Sequence, residues 1–273
     1  MNEKEFNRNC DGTDYGNWVP LNMMKAMGGL TGMLALAEIL VTALVKNRML
    51  SILLGGVTGA LLLLWLYMLK FRALFDFKRG GLMGRIHQYL ADHLDWDGRG
   101  KLLDIGCGAG ALTNRCAKLF PRAELTGMDY WGAEWSYAKD QCEKNARAEG
   151  VADRVKFQKG DAAHLDFPDG TFDAAVSNFV FHEVRSEKDK RKIVREALRV
   201  VKKGGSFAFQ DLFSQEKLYG DMNEFVEELK AEGIAEVHYI PHVEKQGFIP
   251  RFVQAPWMLS GVGLLYGKVV KHF

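Results

Sequence analysis

Three glycines alternate with small residues directly after an apolar run, in KLLDIGCGAGAL at 101–112. Gly106, Gly108 and Gly110 lack a Cβ, so the backbone there can approach a ligand closely, and the helix predicted to follow offers its free amides to the same ligand. A dinucleotide-binding fold uses a similar turn with the spacing GxGxxG, whereas the spacing here is GxGxG. Either pattern alone is a weak signal, so the neighbouring elements must decide which ligand the loop binds.

Short apolar runs alternate with helical stretches from about residue 83 onward. We predict strands at 101–106, 123–129, 154–161, 172–179 and 205–213, and two more in EVHYI and GVGLLYGKVV near the C-terminus. A helix is predicted within 186–205, with a capping box of Ser186 and Asp189 and a stop at Gly204. This alternation predicts a parallel sheet with helices on both faces, in which ligands bind beyond the carboxyl ends of the strands.

The series of motifs resembles the class I S-adenosylmethionine-dependent methyltransferases over roughly residues 85–273. The resemblance implies an α/β fold with a Rossmann-like, seven-stranded methyltransferase sheet and helices on both faces. The matching segments, in chain order, are DIGCGAG, TGMDYWG, KGDAAHLDF, FDAAVSNFVFHEV and EALRVVKKGGSFAFQDL. The last segment has Lys203 where the family usually has proline.

S-adenosylmethionine is the cofactor that the resemblance implies. The first segment would wrap its methionine portion, Asp129 would accept both ribose hydroxyls, and the third segment would bind adenine. A carboxylate suits the ribose because its two oxygens can accept from a vicinal diol. The cofactor-binding residues implied in this way are Asp104, Gly106, Cys107, Gly108, Gly110, Asp129, Tyr130, Asp161, Ala162 and Asn178.

Several of these residues also have a structural interpretation. Asp104 can cap the turn beside it, and Asp161 can act as a turn residue after Gly160. Tyr130, like the Trp131 that follows it, would pack either on the adenine or within its own loop. Cys107 fits between two glycines because it is small, which favours a spacer over a nucleophile.

Methyl transfer requires alignment of the acceptor and sometimes removal of a proton, because the cofactor already carries an electrophilic methyl group. His182 follows Asn178 by four residues, just beyond the fourth strand, and is the candidate catalytic residue for handling that proton. The alternative is that His182 only shapes the pocket. We predict no metal site.

Two apolar runs precede these motifs, at 26–45 with the single charge Glu38 and at 49–69 with no charge. The second run reaches about 30 Å as a helix and is predicted to span a membrane. If the first run also spans, the pair is a hairpin with both ends on one side; if it does not, the N-terminal tail lies on the other side. Glycine pairs at 28 and 32 and at 55 and 59 would let the helices pack closely, although glycine is common in membrane helices anyway.

Lysines and arginines crowd the segment after the second run, which places the large domain on the cytoplasmic side by the positive-inside rule. The predicted organisation is a polar tail with little ordered structure at 1–20, a transmembrane helical hairpin at 21–72, a linker and lid helix at 73–100, and a methyltransferase domain at 101–273. The four scattered cysteines form no CxxC pair and fit a reducing compartment.

The acceptor is predicted from what the chain has and lacks. A net charge of +2 and the lack of an NPPY or DPPY tetrapeptide after the fourth strand argue against a nucleic-acid partner. The apolar runs favour a small lipophilic acceptor at the membrane, such as a quinone-like ring, a lipid, a thiol or a phenol. The alternatives are a soluble metabolite as acceptor, or a membrane-bound sensor or assembly subunit that binds the cofactor without transferring its methyl group.

Overall fold

The computed structural model describes residues 12–79, 81–132, 139–233 and 235–270. Within these residues the chain forms two compact units. One unit holds residues 16–83, and the other joins residues 12–15 to the chain from Gly84 onward. The first eleven residues of the predicted polar tail lie outside the described part of the chain.

Two long apolar helices make up most of the first unit. Helix α1 spans Leu21–Leu40 and continues as a π-helical turn at Val41–Val45, and helix α2 spans Arg48–Phe75. Lys46 turns the chain in a left-handed conformation with φ 53°, and the Asn47 side chain caps α2 by accepting from the Leu50 amide. Both helices are long and apolar enough to cross a membrane, and their apolar side chains are mostly exposed rather than packed in a core.

The contact between the two helices uses one glycine from each. A Cβ at Gly28 would lie 3.0 Å from Cζ2 of Trp65, whose indole donates to the Met24 carbonyl at 2.9 Å. A Cβ at Gly55 would lie 2.7 Å from a carboxylate oxygen of Glu38. The predicted close packing is therefore correct at these two glycines, and wrong at positions 32 and 59, where no described atom of a neighbour lies within 4 Å.

Seven strands form the sheet of the second unit, in the order β3-β2-β1-β4-β5-β7-β6. Strands β1 to β5 and β6 run parallel, and β7 runs antiparallel between β5 and β6. The predicted seven-stranded methyltransferase sheet is confirmed, with β7 as the departure from an all-parallel sheet. The strands are β1 Arg99–Ile105, β2 Arg122–Asp129, β3 Val155–Lys159, β4 Phe172–Asn178, β5 Val201–Asp211, β6 Ala235–Ile240 and β7 Gly263–Val269.

Helices connect the strands on both sides of the sheet. They are α3 Leu82–Asp92, α4 Ala111–Leu119, α5 Lys139–Ala148, α6 Lys190–Arg199, α7 Glu216–Tyr219 and α8 Met222–Ala231. Because crossovers between parallel strands are right-handed, the reversal of strand order at β1 puts α4 and α5 on one face and α6 and α8 on the other. A cluster of buried apolar residues joins α6 and α8 to the apolar side of β4 and β5.

The helix predicted within 186–205 is shorter than expected. Its N-cap is Asp189, whose side chain accepts from the Arg191 amide, so Ser186 lies outside the helix. The helix ends before Val201 because that residue pairs with Phe172 and begins β5. Gly204 consequently lies within the strand with φ 79° and is not a helix stop.

Residues 12–15, which we call the N-terminal strap, are packed against the sheet unit rather than forming a tail without ordered structure. Tyr15 is buried, and its hydroxyl donates to Glu149 at 3.0 Å and accepts from Asn114 at 3.1 Å. The side-chain amide of Asn145 bonds both the N–H and the C=O of Asp14, at 2.9 and 2.8 Å. The strap thus belongs to the sheet unit, although the two apolar helices separate it from the sheet in the sequence.

Candidate active site

The glycine loop follows β1 at the carboxyl edge of the sheet. Gly106, Gly108 and Gly110 have φ of 75°, 55° and 82°, a region that side chains with a Cβ rarely adopt. The amides of Gly106 and Cys107 both donate to the Met128 carbonyl, at 2.7 and 3.0 Å, which ties the loop to β2. A Cβ at Gly106 would lie 2.1 Å from a methyl group of Val180, so a glycine is needed for the chain after β4 to approach the loop.

Asp129 ends β2 directly beside this loop. One carboxylate oxygen accepts from the Gly108 amide and the other from the Trp131 amide, each at 2.8 Å. The Trp131 indole donates back to the Gly108 carbonyl at 3.2 Å, and Trp131 itself has φ 46°. Each carboxylate oxygen has a second lone pair, so a partly exposed Asp129 can still accept from a diol.

Asp104 lies within the protein at the end of β1 and is fully buried. Its carboxylate accepts from the Thr113 hydroxyl of α4 at 2.5 Å, which ties the strand to the first turn of the helix. Burial and the nearby charge of Asp129 raise the pKa of Asp104 to about 7, against the opposing effect of the Thr113 hydrogen bond. The structure therefore gives Asp104 a role in holding the loop, and direct cofactor contact stays a prediction.

Cys107 is buried beside Cys142 of α5. Burial, the neighbouring thiol and the nearby carboxylates Asp104 and Asp129 raise the pKa of Cys107 well above its ordinary value. A thiol that stays protonated is a poor nucleophile. The side chain thus behaves as a small spacer in the loop.

The turn after β3 brings the predicted adenine-binding residues to the same edge. The Gly160 amide donates to the Asp129 carbonyl at 3.0 Å, and one oxygen of Asp161 accepts from the Ala163 amide at 2.9 Å. Ala162 is buried. Tyr130 is 64% exposed and has the Lys159 ammonium 5.4 Å from its ring centre, and its ring lies beside Gly132, where a Cβ would be 3.1 Å away.

The end of β4 supplies Asn178 and the segment that follows it. The Asn178 side chain accepts from Gln210 of β5 at 3.0 Å. Phe179 then has φ 58°, a conformation rare for an aromatic residue, and leads into a 3-10 turn at Phe181–Glu183. The turn carries His182 two residues after Val180, which contacts the glycine loop.

Asp211, at the end of β5, organises this turn. One of its carboxylate oxygens accepts from the amides of Val180 at 3.0 Å, Phe181 at 2.7 Å and His182 at 3.4 Å. The other accepts from Nδ1 of His182 at 2.7 Å and from the Leu212 amide at 2.6 Å. Asp211 is completely buried, and all of these donors point at it. The carboxylate therefore fixes both the backbone and the imidazole of His182.

The electrostatics of His182 follow from this contact. Burial alone would lower the pKa of His182, but the hydrogen bond and charge of Asp211, together with the charge of Glu183, raise it above its ordinary value. Because Nδ1 donates to Asp211, the neutral imidazole carries its lone pair on Nε2, which lies 3.4 Å from Glu183. The pair can thus accept a proton at Nε2 and stabilise the resulting imidazolium.

A long loop completes this edge of the sheet. Since β6 is parallel to β5, the chain between β6 and β7, residues 241–262, lies beyond the carboxyl ends of the strands. The buried Glu244 closes its base by accepting from the amides of Gly261 and Val262, at 3.2 and 3.0 Å. Phe248 packs on Tyr89 of α3, with ring centres 5.2 Å apart. The loop and α3 therefore meet at the edge that holds His182.

The donors and acceptors at this edge fit S-adenosylmethionine. The glycine loop has the bare backbone that a close ligand needs, Asp129 presents two carboxylate oxygens for a diol, and Asp161 with the adjacent amides can read a purine edge. Sequence reasoning found all of these residues, and it missed Asp211. The signal for Asp211 was its place near the end of the predicted strand at 205–213, comparable to the place of Asp129 at the end of the predicted strand at 123–129.

Comparisons with known proteins give the same family. Residues 103–209 match the family model described as a methyltransferase domain. Sterol 24-C-methyltransferase erg-4 of Neurospora crassa is 32% identical over 126 residues, which cover 46% of this chain and 31% of that protein. Phosphatidylethanolamine N-methyltransferase of Cereibacter sphaeroides is 28% identical over 145 residues, 53% of this chain and 66% of that protein. Relatives of similar identity also include an arsenite methyltransferase.

The chain spans less than half the length of several curated relatives that it matches. Among solved structures, geranyl diphosphate C-methyltransferase from Streptomyces coelicolor A3(2), in complex with S-adenosyl-L-homocysteine, has a TM-score of 0.53 at 16% identity. The match covers 72% of this chain and 87% of that one, and at this identity it concerns the fold. Residues 103–209 of this chain therefore match a methyltransferase domain, within a sheet that has the Rossmann-like methyltransferase fold.

Proposed function

We propose that this protein transfers a methyl group from S-adenosylmethionine to a small lipophilic acceptor at a membrane. The observation that carries the methyl transfer is the pair of His182 and Asp211 beside the glycine loop, with Nδ1 and carboxylate 2.7 Å apart. The observation that favours a lipophilic acceptor is the pair of exposed apolar helices in the same chain.

The residues that would hold the cofactor divide by its parts. Asp129 binds the ribose hydroxyls, Asp161 and the Ala162 amide bind the adenine, and the loop from Gly106 to Gly110 lies along the methionine portion. The Asn178 carbonyl holds the amino group. S-adenosylmethionine, when bound, supplies an electrophilic methyl group.

His182 takes the proton that the acceptor loses. The proton moves to Nε2, because Nδ1 already carries one that is held by Asp211. The buried carboxylate of Asp211 stabilises the imidazolium that forms and keeps the ring in place. An acceptor with a pKa well above neutral, such as a phenol, benefits most from this arrangement.

Helices α1 and α2 anchor the protein as a membrane hairpin. The strap and the chain from Gly84 onward belong to one folded unit, so they lie on the same side of any membrane. A chain that leaves this unit after Tyr15 and returns at Gly84 crosses an even number of times. If α2 spans, α1 must span as well, despite Glu38. The excess of basic residues after α2 supports a cytoplasmic position for the methyltransferase domain.

The acceptor approaches from the edge formed by α3 and the loop at 241–262. This loop carries aromatic residues, and Trp257 is 72% exposed on it. Relatives named for sterols and for phosphatidylethanolamine support an acceptor that dissolves in lipid. We propose that α3 and this loop form the wall of the acceptor site, with α3 as the lid helix.

The test uses the full-length protein in lipid nanodiscs with methyl-labelled S-adenosylmethionine. We expect label to move into an organic-soluble product when fractionated lipid extract is supplied, and the Asp129→Ala variant in the same discs to give far less at a cofactor concentration near the wild-type Kd. If label appears only in a water-soluble product, the proposal of a lipophilic acceptor is wrong and the acceptor is a soluble metabolite. Cofactor binding without turnover on any fraction would leave a sensor or assembly subunit.

A further inference from the structure

The N-terminal strap is connected to the middle of the glycine loop by the buried side chain of Asn145. Asn145 of α5 is fully buried, and its amide makes four hydrogen bonds. Two go to the N–H and C=O of Asp14, and one comes from Gln141 at 3.0 Å. The fourth goes from Nδ2 to the Ala109 carbonyl at 2.9 Å. Both the donor and the acceptor of Asn145 are thus shared between the strap and its own surroundings.

Ala109 lies inside the glycine loop, between Gly108 and Gly110. Its neighbour Gly108 is held from the same helix, because the Cys142 thiol donates to the Gly108 carbonyl at 3.1 Å. Side chains of helix α5 therefore donate hydrogen bonds to two successive loop carbonyls, those of Gly108 and Ala109. In a trans peptide the N–H points opposite to the C=O, so fixing these carbonyls also fixes the direction of the amides that follow them.

Tyr15 gives the strap a second attachment to the same region. Its hydroxyl accepts from the side-chain amide of Asn114, and the backbone N–H of Asn114 donates to the Gly110 carbonyl at 2.9 Å. The hydroxyl also donates to the buried Glu149, which is paired with Lys118. The strap thus contacts the end of the glycine loop through α4 and its middle through α5.

We propose that residues 12–15 position the cofactor loop, with Asn145 and Tyr15 as the positioning residues. The proposal rests on the proposed cofactor function of that loop. The strap orients the Asn145 amide by binding both of its ends, and Asn145 in turn orients Ala109. Because the strap precedes α1, the cofactor loop is completed by chain from both sides of the apolar hairpin.

A proline at position 14 tests this with little change of surface. Asp14→Pro removes the backbone donor that binds Asn145, and the Asp14 side chain itself is exposed. The matched control, Asp14→Asn, keeps that donor. Both are made in the full-length protein in nanodiscs. The measurements are the affinity for S-adenosylmethionine by calorimetry, amide hydrogen exchange of residues 106–114 without ligand, and the Tm.

We expect Asp14→Pro to weaken cofactor affinity by about five- to tenfold, since it removes one of the two donors that hold the Asn145 oxygen and so loosens the amide that orients Ala109. Exchange should quicken in residues 106–114 and stay unchanged in β4 and β5. Asp14→Asn should match the wild type in both measurements. Unchanged exchange and affinity in Asp14→Pro would overturn the proposal, as would a lower Tm with affinity intact.

A second variant covers the case in which Asp14→Pro does not fold. Tyr15→Phe keeps the buried ring and removes only the hydroxyl between Asn114 and Glu149, and we expect the same local rise in exchange with a similar loss of affinity. Wild-type exchange and affinity in Tyr15→Phe would then overturn the proposal. If the wild-type protein binds no S-adenosylmethionine, the cofactor function fails, whereas the exchange data still decide whether the strap holds the loop.

Discussion

Replacing Asp211 by asparagine separates proton transfer from pocket shape at His182. In the native site one oxygen of Asp211 faces three amides, and the other faces Nδ1 of His182 and the Leu212 amide. An asparagine keeps one oxygen, and the three amides favour placing it where they converge. Its NH2 group then faces Nδ1, which must become an acceptor. The imidazole changes tautomer, so its proton lies on Nε2. That nitrogen can then no longer take a proton from the methyl acceptor.

The expected loss of rate follows from that change of tautomer. General-base catalysis is worth about 10²–10⁴-fold, so kcat for Asp211→Asn should fall within that range while cofactor affinity is retained. The Leu212 amide loses its acceptor, which costs about 1–3 kcal/mol of stability. For a chain of this size such a loss lowers the Tm by about 2–12 °C, and a thermal melt of the variant checks that it is folded at the assay temperature.

The role of His182 as a base also predicts how turnover changes with pH. Burial lowers the pKa of His182, but the hydrogen bond and charge of Asp211 outweigh burial and raise that pKa above its ordinary value. Turnover should therefore rise with pH through a midpoint above 6.5. Removing the Asp211 charge lowers that pKa, so the titration of His182 in Asp211→Asn should move to lower pH, and the residual activity should no longer follow it. The assay combines initial rates from pH 5 to 9 with NMR titration of ¹³C-labelled histidine, in which His182→Gln identifies the signal.

Glu183→Gln is the matched control, because it removes a carboxylate 3.4 Å from the other nitrogen of the same ring. The Glu183 side chain is 44% exposed and solvent screens its charge, so the rate should change less than about threefold. The reasoning is refuted if Asp211→Asn keeps the native rate and pH midpoint. It is refuted equally if Glu183→Gln loses as much activity as Asp211→Asn.

Four further outcomes are expected. Asp129→Ala should weaken S-adenosylmethionine binding by roughly 30- to 150-fold in calorimetry, from about 2–3 kcal/mol of lost charge-assisted hydrogen bonds, and unchanged affinity would contradict the ribose assignment. Asp104 has a folded pKa of about 7 against 3.8, so wild-type stability should fall by at most about 4 kcal/mol as pH rises from 4 to 7, and Asp104→Asn should remove that fall in thermal melts. Gly106→Ala, with its Cβ 2.1 Å from Val180, should destabilise far more than Gly150→Ala, where φ is also positive and no neighbour lies within 4 Å. The full-length protein should stay in the membrane pellet after a carbonate wash, and its release would replace the spanning helices with interfacial ones.

The sequence predicted the sheet because each strand is a local feature. Seven short apolar runs between turn signals are visible without any knowledge of their neighbours, and all seven became strands. Errors arose where a local signal met a tertiary contact. Ser186 and Asp189 were predicted as a capping box, but the N-cap of the helix is Asp189. Val201 was predicted in the apolar stripe of the helix, but it pairs with Phe172 in the sheet.

The strap and Asp211 were missed for a related reason. Tyr15 meets Asn114 across 99 residues of sequence, and no periodicity near Tyr15 indicates that contact. Asp211 faces His182 because the register of β4 and β5 places Asn178 opposite Gln210. A sequence shows which residues end strands, but the register between strands depends on the packing of both faces.

Three carboxylates at the carboxyl edge show how far position alone can be interpreted. Asp104 is the last residue but one of β1, and Asp129 and Asp211 end β2 and β5. The amides of the following loops converge there, so position predicts that each carboxylate accepts hydrogen bonds. Their partners then divide the roles. Asp104 is buried against a hydroxyl and holds the loop, and Asp211 is buried against an imidazole and sets its tautomer. Asp129 is bonded by two amides at a partly exposed place, which leaves its remaining lone pairs open to a ligand. Burial and the nature of the donor, rather than place in the motif, therefore distinguish the carboxylate that we propose binds the ribose from the two that hold the loop and the His182 imidazole.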